Sequence, residues 1–214
     1  MRKKVLQPGQ IVVPAEYELG DESSLKRYFE MYHYGQGDVP PIIVAKANTI
    51  KEKERQQRLR NRLHRIDKWG AMSPLNYLQA THYIASIQDE FRWYSTLIKH
   101  APYCLLDGNH RSTAATLTHS PIQAIELHCD EDVAQIKKMI EEGDLSGHGS
   151  LETSHSLRDL VLSFEEFCLG GKTTLNNMGR MKDVRTVKDR IDKLVSEGRL
   201  PRYMAEQYLH GQSH

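Results

Sequence analysis

The sequence predicts an α/β (α+β) fold: a mixed sheet covered by helices, with a helical insertion and a helical C-terminal region. Residues 103–142 carry the main signal, because they read as a strand, a tight turn, a helix, a second strand and a second helix. Residues 51–100 carry the second signal, since they form two long stretches of helical character. A chain of 214 residues is long enough to bury a core around such a sheet.

The first fifty residues predict one short helix and one buried strand. The apolar stretch Ile11–Val13 is followed by the acidic segment AEYELGDESS. Ser24 is the expected N-cap of a helix LKRYFEMYHY, which ends before a Gly-Gln-Gly-Asp turn. After Pro40 and Pro41, the β-branched residues of IIVAK predict a buried strand.

The insertion at about 51–100 is predicted as two helices. Residues 51–68 contain no Gly or Pro, and a narrow apolar stripe recurs along them at spacings of four and three: Leu59, Leu63 and Ile66. Gly70 interrupts this helix. Ser73 and Pro74 then supply an N-cap and a proline at the first helical position of the next one.

Residues 103–142, after the insertion, predict two strands of the sheet and the helices that follow them. YCLL reads as a strand, DGNHR as a turn, and the small residues that follow as a helix beginning near Ser112. IQAIELHC then alternates as a strand does, and Asp130 is the expected cap of the helix EDVAQIKKMIEEG.

A loop or linker rich in Gly, Ser and His, DLSGHGSLETSH, follows this helix. We therefore place a domain boundary near residue 150. Residues 1–150 are predicted to form one domain that includes the insertion, and residues 151–214 a small helical region.

Composition narrows the classes of function. Lys and Arg number 29 against 28 Asp and Glu, so the whole chain has no field strong enough to imply a polyanionic partner. The three cysteines lack Cys-x-x-Cys spacing and the histidines lack His-Glu-x-x-His spacing, so no metal-binding motif is predicted. The basic residues 2–4 are followed by too short an apolar stretch for a signal peptide, and no segment is long enough to span a membrane. We expect a cytoplasmic protein.

The DGNHR turn concentrates the candidate site residues. A helix N-terminus has unpaired N–H groups and a partial positive charge, and therefore attracts anions. Gly108 permits close approach of a ligand, while Arg111 offers a planar fork for phosphate oxygens and Ser112 a cap or a hydroxyl contact. Asn109, His110 and Asp107 add donors and acceptors. The alternative is structural: Asp-Gly is a common turn, and the arginine then pairs with a neighbouring carboxylate.

These residues resemble the ParB/sulfiredoxin-like fold superfamily. The signature is a short strand, Asp-Gly-x-His-Arg and a helix of small residues; PPIIVAK is similar to the preceding strand and IQAIEL to the following one. The resemblance covers roughly residues 8–142, interrupted by the insertion. Members include ParB proteins, which bind CTP, sulfiredoxins, which use ATP, and free-serine kinases, whose Asp-Gly-His-His-Arg turn differs only at Asn109.

The resemblance implies a nucleoside triphosphate site, for ATP or CTP with Mg²⁺. Its phosphate-holding residues are carried over one by one: Gly108, Asn109, His110, Arg111 and Ser112. Asp107 and His110 would stand near the reacting group. The kinase-like members also use a carboxylate from an N-terminal loop, and Glu18, in the acidic segment, is the candidate to take a proton from a small hydroxyl acceptor. A solvated acidic loop is the structural alternative.

Departures from the family narrow the activity. Sulfiredoxins require a cysteine in the turn where this chain has Asn109, which argues against sulfinic-acid reduction. ParB proteins have two arginines there and a large helical DNA-reading domain, whereas about sixty residues follow the linker here. The resemblance is therefore closest to the kinase-like members.

Two further hypotheses belong to other classes. Residues 51–68 carry eight Lys or Arg against three Asp or Glu, and Arg58, Arg62 and Arg65 would give a DNA-associated regulatory protein a phosphate-binding face. Alternatively, this is a solvated helix, whose leucine stripe packs on the next helix or on a second subunit. The third hypothesis is an interaction module that keeps the fold without a ligand.

Overall fold

The computed structural model describes residues 1–14, 21–143, 150–169 and 184–211. Six strands in these ranges form one mixed sheet in the order β1-β5-β3-β4-β2-β6. Their bounds are β1 Arg2–Leu6, β2 Ile11–Val13, β3 Ile42–Lys46, β4 Tyr103–Asp107, β5 Ile122–Leu127 and β6 Arg185–Thr186. The pairs β5/β3 and β4/β2 are parallel, and the pairs β1/β5, β3/β4 and β2/β6 are antiparallel. The predicted mixed α/β fold is therefore confirmed at the level of fold class.

Helices cover both faces of this sheet. Their bounds are α1 Glu22–Tyr34, α2 Glu52–Gly70, α3 Pro74–His100, α4 Asn109–Leu117, α5 Asp130–Glu141, α6 Ser150–Thr153, α7 Leu157–Cys168, α8 Val187–Ser196 and α9 Arg202–Gly211. The central strands are buried from both sides, since alternate residues of each belong to different apolar clusters. This explains why IIVAK and YCLL read as nearly continuous apolar runs.

The two faces hold separate cores. Side chains from α1, α4, α8 and α9 meet one face, where Phe29, Leu117 and Ile191 are buried. Side chains from α3, α5, α6 and α7 meet the other, where Tyr94, Ile136 and Leu160 are buried. The residues after 150 thus contribute helices to both faces and β6 to the sheet.

The two helices predicted over residues 51–100 are confirmed as α2 and α3, with Ser73 as the N-cap of α3. Two predicted caps are wrong. Asp21, not Ser24, caps α1, because its carboxylate accepts the backbone N–H of Ser24 at 3.1 Å. Cys129 precedes α5, and Asp130 instead accepts the N–H of Leu157 at 2.8 Å.

Three strands have no counterpart in the prediction; one of them is β2, which forms from the apolar stretch Ile11–Val13. β1 is built from RKKVL at one edge of the sheet, and β6 is only two residues long at the other edge. In the described residues, no helix is both long and apolar enough to cross a membrane.

Candidate functional site

The turn between β4 and α4 is shaped by Gly108. Its φ of +101° lies in the left-handed region, and a Cβ atom there would stand 2.6 Å from Cγ2 of Ile42. A side chain is therefore disfavoured both by the backbone conformation and by the neighbouring strand. Because this glycine turns the chain at once, α4 begins at Asn109, and the predicted start near Ser112 is wrong.

Ser112 lies inside the first turn of α4. Its side chain is fully buried, and its hydroxyl donates to the carbonyl of Asn109 at 2.9 Å. The predicted capping role of Ser112 is wrong, since the residue before the helix is Gly108. The hydroxyl closes a local hydrogen bond within the helix instead.

Arg111 fastens three parts of the chain together. Its Nη1 donates to the carbonyls of Pro40 at 3.2 Å and Pro41 at 2.7 Å, and its Nη2 pairs with Asp107 Oδ2. The residue is 3% exposed. The guanidinium therefore anchors the segment before β3 to the end of β4, and it also places positive charge beside the first turn of α4.

Arg190 is a site residue that the sequence did not indicate. It lies on α8, is 3% exposed, and donates from Nη2 to Asn109 Oδ1 at 2.7 Å and from Nη1 to the carbonyl of Pro14. Burial lowers its pKa to about 9. A second buried guanidinium thus meets the first residue of α4 from the opposite end of the chain.

The contact with Arg190 decides how the amide of Asn109 is oriented. An arginine only donates, so the amide atom that it meets must be the oxygen, and Nδ2 is left as the donor on the other side. This nitrogen is buried, and no described residue supplies it with a hydrogen-bond acceptor. A buried donor without an acceptor is uncommon and suits an oxygen-rich ligand.

His110 and Asp21 bring a second helix end to the turn. The pKa of Asp21 is lowered by hydrogen bonds from Ser23 and Ser24, with a further contribution from the charge of His110. Since Asp21 caps α1, the N-termini of α1 and α4 lie near each other. Burial raises the pKa of Tyr32 on α1. The positive charge of Arg111 opposes this rise, so the tyrosine also lies near the turn.

Glu18 lies outside the described residues. The residues that flank segment 15–20, Pro14 and Asp21, both lie beside the turn, through the contact of Pro14 with Arg190 and the charge interaction of Asp21 with His110. Its candidacy as a base remains a prediction.

The three arginines of the DNA hypothesis differ in environment. Arg58 pairs with Glu166 at 2.9 Å and with Glu165 at 3.6 Å, and Arg62 donates to the carbonyl of Leu169. Burial lowers the pKa of Arg62. Arg65 is exposed. Two of these three side chains therefore hold α2 to α7 and the residue that follows it.

Comparison of the chain with protein-family models, curated proteins and solved structures returns no match. The resemblance to the ParB/sulfiredoxin-like superfamily therefore stays a prediction, and the function has to be argued from the geometry of the turn.

Proposed function

We propose that this protein binds the phosphates of a nucleoside triphosphate, ATP or CTP, at the N-terminus of α4. The observation that carries this proposal is the buried Nδ2 of Asn109, a donor that no described residue satisfies. It lies in the first turn of a helix, where backbone N–H groups and the helix dipole already favour an anion.

The charges around Asn109 support an anionic ligand. Arg111 and Arg190 place two buried guanidinium groups at the same helical turn. Burial lowers the pKa of Arg190 because a desolvated cation is costly, and a neighbouring phosphate reduces that cost.

The contacts suggest a separate task for each residue. Gly108 sets the close turn, Asn109 donates to a phosphate oxygen, and Arg190 holds the Asn109 amide in the donating orientation. Arg111 orients Asp107 and supplies positive charge, while the Ser112 hydroxyl is used within the helix. His110, whose charge acts on Asp21, adds a further charge where the N-termini of α1 and α4 lie near each other.

The residues at the turn suit phosphate better than a bare cation. Among the described residues there is no group of three His, Cys, Asp or Glu side chains that could hold a metal ion. Mg²⁺ is commonly held by one or two carboxylates together with substrate phosphates. In this proposal it arrives with the nucleotide, and Asp107 is the carboxylate of the turn available to it.

Catalysis is a further hypothesis. In a phosphate transfer, the positive charges at the turn would stabilise charge on the transferred group, and a carboxylate would accept the proton of a small hydroxyl acceptor. Asp107, His110 and Glu18 are the candidates for direct participation. Since Asp107 Oδ2 already accepts from Arg111, we assign Asp107 mainly to positioning and Glu18 to the base. Product analysis with γ-labelled nucleotide distinguishes transfer, hydrolysis and binding alone.

The test of binding is calorimetric titration with ATP, ADP, CTP and GTP, with and without Mg²⁺. We expect Asn109→Asp to weaken triphosphate binding by about tenfold to a hundredfold, the range for losing one hydrogen bond to a charged group. The new carboxylate would still accept from Arg190, so folding is retained.

Asn61→Asp is the matched control, because it adds the same charge on the exposed face of α2, far along the chain from the turn. It should leave binding unchanged. If no nucleotide binds the wild type, or if both variants bind equally, the proposal is wrong. A salt-dependent shift of duplex DNA that is lost in Arg65→Ala would then support the DNA-associated alternative.

A further inference from the structure

A second group of charged side chains lies at the end of the sheet away from the α4 turn. β4 begins at Tyr103 and reaches the turn at Asp107, so the two ends of this strand are about 13 Å apart. The group is built on four strands and on the residue after β5. We call it the Glu126 cluster, and its members are Arg2, Lys4, Lys46, Tyr103, Glu126 and His128.

The strand register places these side chains on one face of the sheet. Arg2 of β1 lies opposite Glu126 of β5, and Lys4 shares the face of Arg2 because side chains alternate across a strand. Lys46 of β3 lies opposite Tyr103 of β4. The Nζ atom of Lys4 contacts both Glu126 and Tyr103, which joins the two pairs into one cluster.

Glu126 is a buried carboxylate that several positive groups share. Its side chain is 0% exposed, and Lys4 Nζ lies 2.6 Å from its Oε2. Lys46 Nζ lies 4.0 Å from Oε1, and His128 Nε2 lies 3.6 Å from Oε2. A buried carboxylate holds such neighbours in place, because their removal would leave its charge uncompensated.

The positive charge of the cluster exceeds its negative charge. Three cations, Arg2, Lys4 and Lys46, meet the single carboxylate of Glu126, which leaves a surplus of two even when the histidine is neutral. Arg2 forms no ion pair with another described residue. Hydrogen bonds to Glu126 and Tyr103 raise the pKa of Lys4, so this ammonium stays charged at neutral pH.

The carboxylates at the start of α5, just after His128, have other partners. Asp132 pairs through Oδ1 with the N-terminal amine, and its Oδ2 accepts the backbone N–H of His128 at 2.8 Å. Asp130 accepts the N–H of Leu157 on the opposite face of the sheet. Glu131 is hydrogen-bonded to the cysteine that precedes α5. In the described part of the chain, none of the three forms an ion pair with a lysine or arginine of the cluster.

Tyr103 adds a hydroxyl proton to the cluster. The residue is 7% exposed, and its hydroxyl oxygen accepts from Lys4 Nζ at 2.8 Å. An ammonium group only donates, so the phenolic proton must point to another acceptor, and no described residue supplies one. A buried O–H group beside a surplus of cations suits a ligand with negatively charged oxygens.

Solvent reaches the positive groups but not the carboxylate. The side chains of Lys46 and His128 are 47% and 37% exposed, and Arg2 is exposed, whereas Glu126 and Tyr103 lie buried beneath them. A ligand can therefore contact the cations without entering the core.

The charge and the spacing fit one phosphate group. A phosphate monoester carries about 1.5 to 2 negative charges at neutral pH, which matches the surplus of two. Lys4, Lys46 and His128 converge on one carboxylate and so face a single point. A protein that binds a nucleic-acid strand instead needs a groove of basic groups that follows the backbone.

We propose that the Glu126 cluster is a second anion site, which binds the phosphate group of a small phosphate monoester. Lys46 and Arg2 contact the phosphate oxygens, and the Tyr103 hydroxyl donates to one of them. Glu126 is a positioning residue, since it holds Lys4 and Lys46 beside each other. This site does not depend on nucleotide binding at α4.

NMR titration with inorganic phosphate at constant ionic strength tests the proposal. The backbone signals of residues 44–46 and 126–128 report the cluster, and those of residues 108–112 report the turn at α4. We expect saturable shifts at the cluster whether or not the turn responds. Asn109→Asp, which alters only the turn, should leave the shifts at the cluster unchanged.

Variants identify the groups that bind. Lys46→Gln and Tyr103→Phe should each weaken phosphate binding at the cluster by about tenfold, the loss expected for one hydrogen bond to a charged group. Tyr103→Phe keeps every charge and the ring, so it tests the hydroxyl alone. Lys68→Gln is the matched control, because it removes the same charge at an exposed position near the end of α2. Circular dichroism should show all of these proteins folded.

Four results would overturn the proposal. The first is a wild type without shifts at the cluster, and the second is equal phosphate affinity in Lys46→Gln and Lys68→Gln. The third is loss of these shifts in Asn109→Asp, which would mean that phosphate binds only at the turn. The fourth is a short single-stranded oligonucleotide that binds the same residues more tightly than phosphate and with a steep salt dependence, which would assign the cluster to nucleic acid. Unchanged affinity in Tyr103→Phe would overturn the role of its hydroxyl.

Discussion

Two clusters of buried arginine lie on opposite sides of the sheet and differ in how their hydrogen bonds are satisfied. Behind the sheet, Arg55 pairs with Glu165 at 2.5 Å and also donates to the carbonyl of Ala47. Tyr94 donates its hydroxyl to the same Glu165 at 3.3 Å. On the opposite face, Arg190 donates to the side-chain amide of Asn109, whose buried Nδ2 has no acceptor among the described residues.

The difference separates a structural cluster from a candidate ligand site. Around Arg55, cation and carboxylate meet directly, and the pair joins α2 to α7 through the protein interior. Burial raises the pKa of Glu165 although Arg55 opposes the rise, which shows that this carboxylate depends on its partners. Around Asn109, the buried amide nitrogen Nδ2 has no acceptor among the described residues. The cluster around Arg55 leaves an acceptor, Glu165 Oε2, without a hydrogen bond, whereas the cluster around Asn109 leaves a donor, which is the group that an anionic ligand would use.

The largest expected effect follows from breaking the buried ion pair between Arg55 and Glu165. Glu165→Ala leaves Arg55 buried without its carboxylate and weakens the contact of Arg58, so we expect a loss of about 3–5 kcal/mol in the free energy of unfolding. Urea denaturation measures it.

Glu166→Ala is the matched control for this change. Glu166 also pairs with Arg58, but its side chain is 43% exposed, so the expected loss is at most about 1 kcal/mol. Equal losses of unfolding free energy in the two variants would mean that the buried pair of Arg55 and Glu165 adds no more stability than the exposed pair.

The next effect concerns the backbone that positions the turn. Gly108→Ala combines a positive φ with a contact against Ile42, and we expect a cost of about 2–4 kcal/mol in unfolding free energy. Gly198→Ala is the control, because Gly198 also has a positive φ, +64°, with nothing within 4 Å of the added Cβ. It should cost about 1 kcal/mol, from the backbone conformation alone. If thermal or urea unfolding gives the two variants the same stability, the contact with Ile42 does not shape the turn.

The smallest effect is the pH dependence of stability that Asp21, the N-cap of α1, contributes. The hydrogen bonds from Ser23 and Ser24 lower the pKa of Asp21, so the folded state binds this proton more weakly than the unfolded state. Its stabilising contribution is present above about pH 4, the ordinary range of an aspartate, and is lost as the pH falls further. Asp21→Asn should therefore give a shallower decline of stability with acid. A decline as steep as that of the wild type would exclude Asp21 as its source.

Local patterns in the sequence were sufficient to predict the central elements. Asp-Gly after an apolar run located the end of β4, and the periodicity of residues 51–68 with the Ser73-Pro74 signal predicted α2 and α3. These features depend on neighbours along the chain. The same reasoning placed the start of α4 three residues late. It assumed that the turn extends to Ser112 and that Ser112 caps the helix, whereas the chain turns at Gly108 alone.

Long-range contacts could not be predicted in this way. Arg190 meets Asn109 across 81 positions, and Glu165 meets Arg55 across 110. No spacing rule links such residues in a single sequence. β6 is only two residues long and is defined by its pairing with β2, so it too leaves no periodic pattern.

The basic start of the chain has a consequence for solubility. Arg2, Lys3 and Lys4 belong to β1, which has no neighbouring strand on its outer side among the residues that the structure describes. Such edges can recruit strands of other molecules, and closely spaced like charges oppose this because stacked copies would repel. Removing residues 2–6 would make β5 the edge, with Ile125 and Ala124, the partners of Lys3 and Lys4, on it. Lys4 is paired with Glu126 at 2.6 Å, so the exposed Arg2 and Lys3 are the charges that oppose edge-to-edge pairing.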